Sequence, residues 1–157
     1  MVRRQARTKA RLESAKATVR VAETPAEIGR CHAVMMELRT HHTDRQKFIR
    51  QIQKQIEEGY RLAFLEADGE VRAVAGYRLL ELLFSGRTLY VDDLVTRAAD
   101  RSLGFGGQLF DWLVEEARRE KCQEFSLDSG VHRFAAHRFY LLKRMKIAAH
   151  HFTLPLE

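Results

Sequence analysis

The residues best suited to chemistry lie in one stretch, Arg101-Ser102-Leu103-Gly104-Phe105-Gly106-Gly107. A short apolar run, 89–96, precedes it and reads as a buried strand. After the glycines, Leu109, Phe110, Leu113, Val114 and Ala117 recur at helical spacing, with Asp111, Glu115, Glu116 and Arg118 on the other face. The unit is strand, glycine-rich turn, helix. The first turn of a helix has amides without internal partners and partial positive charge. Glycines remove the side chains that would keep an anion away, and Arg101 adds a full charge at the rim. Such a turn suits a phosphate or pyrophosphate. A nucleotide triphosphate loop needs Lys-Ser or Lys-Thr after the glycines, and none follows. A dinucleotide motif needs a different glycine spacing. The alternative is a glycine-rich helix start that holds no ligand.

The pattern R-x-x-G-x-G followed by Gly107 resembles the acetyl-CoA motif of the GNAT N-acetyltransferase superfamily. Leu94 and Thr96 stand where the family has its L-x-V strand ending, and Ala136-His137-Arg138-Phe139-Tyr140 resembles its A-x-x-[LF]-Y signature. The resemblance runs from about Val19 to Leu154. It implies an α+β fold: a mixed, mostly antiparallel sheet with a splayed central strand pair, flanked by about four helices. It also implies acetyl-CoA as cosubstrate, no metal, and transfer to a primary amine by direct attack in a ternary complex. Arg101, Ser102, Leu103, Gly104, Phe105, Gly106 and Gly107 would then hold the CoA pyrophosphate, and the pantetheine arm would pair with the backbone of Leu94, Val95 and Thr96. Arg133 stands where the family often has Asn; it cannot accept hydrogen bonds as Asn does but can reach a CoA phosphate. Arg144-Met145 replaces the family's Gly-Phe after the last helix, which predicts a different helix ending.

Acetyl transfer to an amine needs a route for the ammonium proton, a polarised carbonyl and a proton for the leaving thiolate. Tyr140 stands at the position of the family's acid, and its hydroxyl is a donor. The competing role is a core tyrosine bonded elsewhere. For the base, Asp92 and Asp93 sit in the middle of an apolar strand, where carboxylates are costly without a purpose. Neighbouring strand residues face opposite sides, so separate roles are expected. Family members that acetylate polyamines carry an acidic pair here. The family's strand has a bulge at this point, so parity does not choose between them; Asp92 is the preferred base. A structural ion pair is the competing role. The acidic pair points to a cationic acceptor, either a small amine or a lysine side chain.

These residues need elements to position them. Thr18–Ala22 reads as a first strand, and Thr24-Pro25-Ala26-Glu27 has the form of a capping box with Pro at the first helical position. The helix it opens should run to about Arg39 with Ile28, Cys31, Met35 and Leu38 inward. A second helix follows, capped by Thr43, with Phe48, Ile49, Ile52 and Ile56 as its stripe and Gly59 at its end. In the GNAT fold this pair covers the acceptor side of the cleft. Arg39 and His41 are therefore the candidate acceptor contacts, set against a solvated loop. His41 and His42, being adjacent, should not point one way. Strands are expected over 60–67 and 71–83, joined at Asp68-Gly69, then over 89–96 after a Ser85-Gly86 turn, and over 124–128. A last helix over about 133–144 and a closing strand over about 146–154 complete the order.

Composition bounds the rest. With 157 residues and 45% hydrophobic content, this is one globular domain over 19–157 behind a basic extension, 1–18. No apolar run is long enough for a membrane span. Residues 1–20 hold seven basic residues against Glu13 alone, which equals the whole chain's +6, so the body is balanced and only the tail offers a polyanion contact. Cys31 and Cys122 lack metal spacing and suit a reduced, cytoplasmic protein. The competing class is a non-catalytic regulator that binds CoA, or nucleic acid through its tail. A homodimer is compatible with the family resemblance.

Overall fold

The computed structural model describes residues 17–156, so the basic extension expected over 1–18 lies almost wholly outside the described residues. The described residues form two compact units that divide after Ser126. The first begins with β1 (Thr18–Val21), α1 (Pro25–Met36) and α2 (Arg45–Glu57). It continues with β2 (Tyr60–Ala67), β3 (Glu70–Leu82), β4 (Gly86–Thr96), a 3-10 turn (Ala98–Asp100) and α3 (Phe105–Arg119), and reaches β5 (Glu124–Leu127) at the division.

Local sequence chemistry explains most of these boundaries. At the start of α1 the Thr24 hydroxyl accepts from Glu27 N, and the Glu27 carboxylate accepts from Thr24 N, each at 3.2 Å. The helix stops at Met36, earlier than the expected Arg39; Leu38 still packs on the core. α2 is capped by Asp44, whose carboxylate accepts from Lys47 N at 2.9 Å, and not by the expected Thr43. A carboxylate at the positive end of a helix is the stronger cap. Phe48, Ile49 and Ile52 are buried beneath α2, while Ile56 is 37% exposed. Asp68 and Gly69 both take positive φ, as a two-residue hairpin requires.

The sheet has the order β1-β2-β3-β4-β5, with the first four strands antiparallel. Gln123 N donates to the Arg87 carbonyl at the start of β4. β5 has four residues against eleven in β4, so it can pair with only part of that strand. The core lies between the sheet and α1 and α2, where Ile28, Cys31, Phe48, Leu62, Phe64 and Val74 are almost wholly buried.

In the second unit, α4 spans Phe134–Leu142, shorter than expected. Its ending corrects the expectation of an altered C-terminus. Arg144 takes φ 66°, Arg144 N donates to Leu141 O, and Met145 N donates to Tyr140 O. This is the left-handed Schellman closure that a glycine usually makes, held here by arginine. The expected closing strand over 146–154 does not form. Among the described residues beyond Met145 there is no strand, and Ile147, Phe152 and Leu154 are exposed. An alternating apolar pattern becomes a strand only where a neighbour supplies the ladder.

The link from β4 to α3 is held by buried charge. Arg72 Nη1 lies 3.2 Å from Asp100 Oδ1, and Arg97 Nε lies 2.5 Å from Asp100 Oδ2. Arg72 is 6% exposed and Asp100 3%. Asp100 O accepts from Leu103 N, and Ala98 N donates to the Glu37 carboxylate at the end of α1. Asp100→Asn leaves Arg72 buried with its charge poorly compensated. Urea unfolding is expected to show a loss of about 3 kcal/mol, with faster amide exchange at Leu103. Exposed Glu70, which also pairs with Arg72 at 3.0 Å, should cost under about 1 kcal/mol when changed to Gln.

Candidate active site

Antiparallel strands normally alternate faces, and β4 breaks that rule where its two carboxylates stand. Gly76 on β3 pairs with Asp93, and Tyr77 pairs with Val91, so Asp92 is an extra residue opposite no partner. The bulge removes the expected separation. Asp92 and Asp93 both line one cavity of about 320 Å³ in the first unit. Arg39, His41 and His42 line it from the segment after α1, Phe48, Gln51, Ile52 and Gln55 from α2, and Tyr60 from the start of β2. Both histidines thus reach the same space, against the expectation that adjacent residues diverge.

The carboxylates are not equivalent. Asp93 has both oxygens filled: Arg39 Nε donates to Oδ1 at 2.6 Å, and the Tyr60 hydroxyl donates to Oδ2 at 2.8 Å. Tyr60 is 1% exposed, and burial together with the Asp93 charge pushes its pKa well up, so it remains a donor. Asp92 Oδ2 accepts from Arg78 Nε at 2.8 Å. Asp92 Oδ1 is buried and has no hydrogen-bond partner. Burial lifts the Asp92 pKa above the ordinary carboxylate value, and Arg78 pulls the other way. A buried carboxylate oxygen without a partner, on a residue that lines a polar cavity, is an unsatisfied acceptor.

Two further observations qualify the sequence reading. Each carboxylate has an arginine, so the acidic pair does not present two free negative charges. The cavity also depends on Tyr60, Arg78, His42, Gln51 and Gln55, none of which the sequence singled out. One signal was available: Gly76 interrupts a strand pattern, and such glycines mark bulges or close approaches. A Cβ there would lie 1.7 Å from the Tyr60 hydroxyl oxygen. Glycine is what lets Tyr60 reach Asp93.

The glycine-rich loop takes the predicted place between β4 and α3. Ser102 has φ 68° and Gly104 φ 89°. No side chain caps α3, whose N-cap is Gly104. A Cβ on Gly106 would lie 2.5 Å from Thr96 Oγ1, so the helix start sits directly on the end of β4. Phe105 is 1% exposed, its ring packed into the core beneath the helix start. Arg101 is exposed at the rim. Leu94, Val95 and Thr96 end β4 beside this loop. Tyr140 and Arg133 belong to the second unit, Tyr140 within α4 and Arg133 as its N-cap. Partial burial pushes the Tyr140 pKa up, opposed by the Arg133 charge. Among the described residues no group of His, Cys, Asp or Glu is arranged to hold a metal, and no helix is long and apolar enough to cross a membrane.

Comparison with known proteins shows the family and the fold. The profile of the acetyltransferase (GNAT) family matches residues 28–145. An uncharacterized N-acetyltransferase, YhdJ, of Bacillus subtilis (strain 168) is 34% identical over 110 residues, covering 69% of this chain and 77% of its own. Among solved structures, AAC(6')-Iy in complex with the bisubstrate analog CoA-S-monomethyl-acetylneamine superposes with a TM-score of 0.78 at 11% identity, covering 91% of this chain and 99% of that one. A transcriptional regulator from Bacillus halodurans C-125 gives a TM-score of 0.75 at 18% identity, covering 90% of this chain and 100% of that one. At such identity the two structures carry the fold alone. The family profile and the bacterial relative together establish that this chain belongs to the GNAT family of acetyltransferases.

Proposed function

We propose that the protein is an N-acetyltransferase that uses acetyl-CoA to acetylate a primary amine held in the Asp92 cavity. The single observation that carries this reading is Asp92 Oδ1, a buried carboxylate oxygen without a partner on a residue that lines a polar cavity. Its neighbour Asp93 is already saturated by Arg39 and Tyr60. That asymmetry supports Asp92 as the base and gives Asp93 the role of holding Arg39. His41 lies on the same wall and is a candidate acceptor contact with Arg39.

The residues around the Gly104 turn fit a CoA pyrophosphate. The helix start that no side chain caps and the left-handed Gly104 support this reading, with Arg101 adding charge. Main-chain groups of Leu94, Val95 and Thr96 are the candidates for the pantetheine arm, and Arg133 for a CoA phosphate. When bound, acetyl-CoA supplies the acetyl group as a thioester. Asp92 receives the ammonium proton of the acceptor at Oδ1, directly or through water, which frees the nitrogen lone pair. Tyr140, kept protonated by its raised pKa, holds the proton for the departing thiolate. The Tyr140 role rests on its place in the A-x-x-F-Y motif.

Tyr140→Phe is expected to lower kcat by about 10²–10⁴-fold with acetyl-CoA affinity unchanged, read by thiol release and calorimetry. Unchanged turnover would remove Tyr140 from the mechanism. For Asp92 the sign follows from its raised pKa: only the ionised form accepts a proton, so kcat/KM falls as pH drops through that value. The acid limb should lie above the roughly 3.9 of an ordinary aspartate. Asp92→Asn should abolish the limb and cost a similar factor in rate, whereas a limb that persists in this variant assigns the base elsewhere.

A further inference from the structure

Each carboxylate of the cavity lining is paired with an arginine. Asp92 is matched by Arg78 at 2.8 Å and Asp93 by Arg39 at 2.6 Å. Tyr60, Gln51 and Gln55 carry no charge, and burial with the neighbouring His41 pushes the His42 pKa down, so it stays neutral near pH 7. A polycation entering this space would meet no excess negative charge. The two unsatisfied features have opposite sign. One is Asp92 Oδ1, which can take an ammonium N–H. The other is the Arg39 guanidinium. Two of its five N–H donors are used, by Asp93 Oδ1 and by the Asp92 carbonyl oxygen at 2.9 Å. Its side chain remains 44% exposed.

Because Arg39 Nη2 touches the main chain of Asp92 itself, the cationic and anionic features are neighbours. A ligand that satisfies both must carry its amine and an anionic group only a few bonds apart. Resting on the acetyltransferase reading above, we infer that the acceptor is a zwitterionic amino acid, its amine received by Asp92 and its carboxylate by Arg39. Asp93 and Tyr60 are then positioning residues that hold the guanidinium. A guanidinium binds a carboxylate through parallel N–H bonds, a geometry that an ammonium cannot reproduce. Gln51 and Gln55 face the same space from α2 and can contact the rest of the acceptor.

The test compares each amino acid with the amine left when its carboxylate is removed: lysine with cadaverine, ornithine with putrescine, arginine with agmatine. Thiol release from acetyl-CoA is measured with the full chain, and acetyl-CoA binding is followed separately by calorimetry. The expected result is a kcat/KM higher for the amino acid by about 10–100-fold, from the added charge-assisted hydrogen bonds. Arg39→Met should erase that preference through KM while leaving acetyl-CoA affinity in place, and Arg39→Lys should keep part of it. Amines turned over as well as their amino acids overturn this inference and leave the acetyltransferase reading standing. So does a preference that survives Arg39→Met, or acetyl-CoA binding without turnover of any amino acid. Loss of acetyl-CoA binding in the unaltered protein overturns both.

Discussion

The site depends on one extra residue in β4. Without the bulge at Asp92, strand alternation would send one carboxylate into the cavity and the other to the opposite face. With it, both reach the same space and can be treated differently. Asp93 is fixed at both oxygens by Tyr60 and Arg39, and Asp92 keeps one oxygen unsatisfied. Burial raises the proton affinity of the second, and Arg78 opposes that rise. The bulge is itself supported from β3, where Gly76 leaves the room that Tyr60 occupies. Register, glycine and tyrosine together leave a single carboxylate oxygen unsatisfied.

Arginine does the complementary work throughout the first unit. Arg72 and Arg97 hold Asp100 beneath the loop that precedes α3, Arg78 holds Asp92, and Arg39 holds Asp93. In each case a planar guanidinium meets a carboxylate, and Arg72–Asp100 does so away from bulk water, where an unpaired charge would be costly. The consequence for the acceptor is specific. Carboxylates already matched by arginines select weakly for net positive charge. Selection falls to the direction of the remaining donors and acceptors, and the two remaining groups are of opposite sign.

The local features of the fold were legible because their causes are local. A capping box at Thr24, an Asp68-Gly69 turn and a glycine-rich helix start at Gly104 are each complete within a few residues. Misreadings came where the choice depends on surroundings. Asp44 displaced Thr43 as cap because the carboxylate makes the better bond to the first turn. Arg144 adopted the left-handed closure expected to need glycine, because the bonds to Tyr140 and Leu141 carbonyls hold it there. Residues 146–154 have the pattern of a strand and lack one, since a pattern does not supply a partner.

By itself the sequence determined the element order as far as α4, the glycine-rich turn at Arg101–Gly107, the tyrosine motif ending at Tyr140 and the presence of two carboxylates in β4. All of these are properties of residue type and short spacing, and they were enough to carry the family resemblance. Tertiary structure decided which carboxylate oxygen is free. Arg39 and Asp93 are joined across a separation of 54 residues, and Tyr60 and Asp93 across 33. No local pattern encodes such pairs. They exist only because β2, β3 and β4 are in register and α1 ends above them, so the charge left over in the cavity is a property of the fold and not of any one segment.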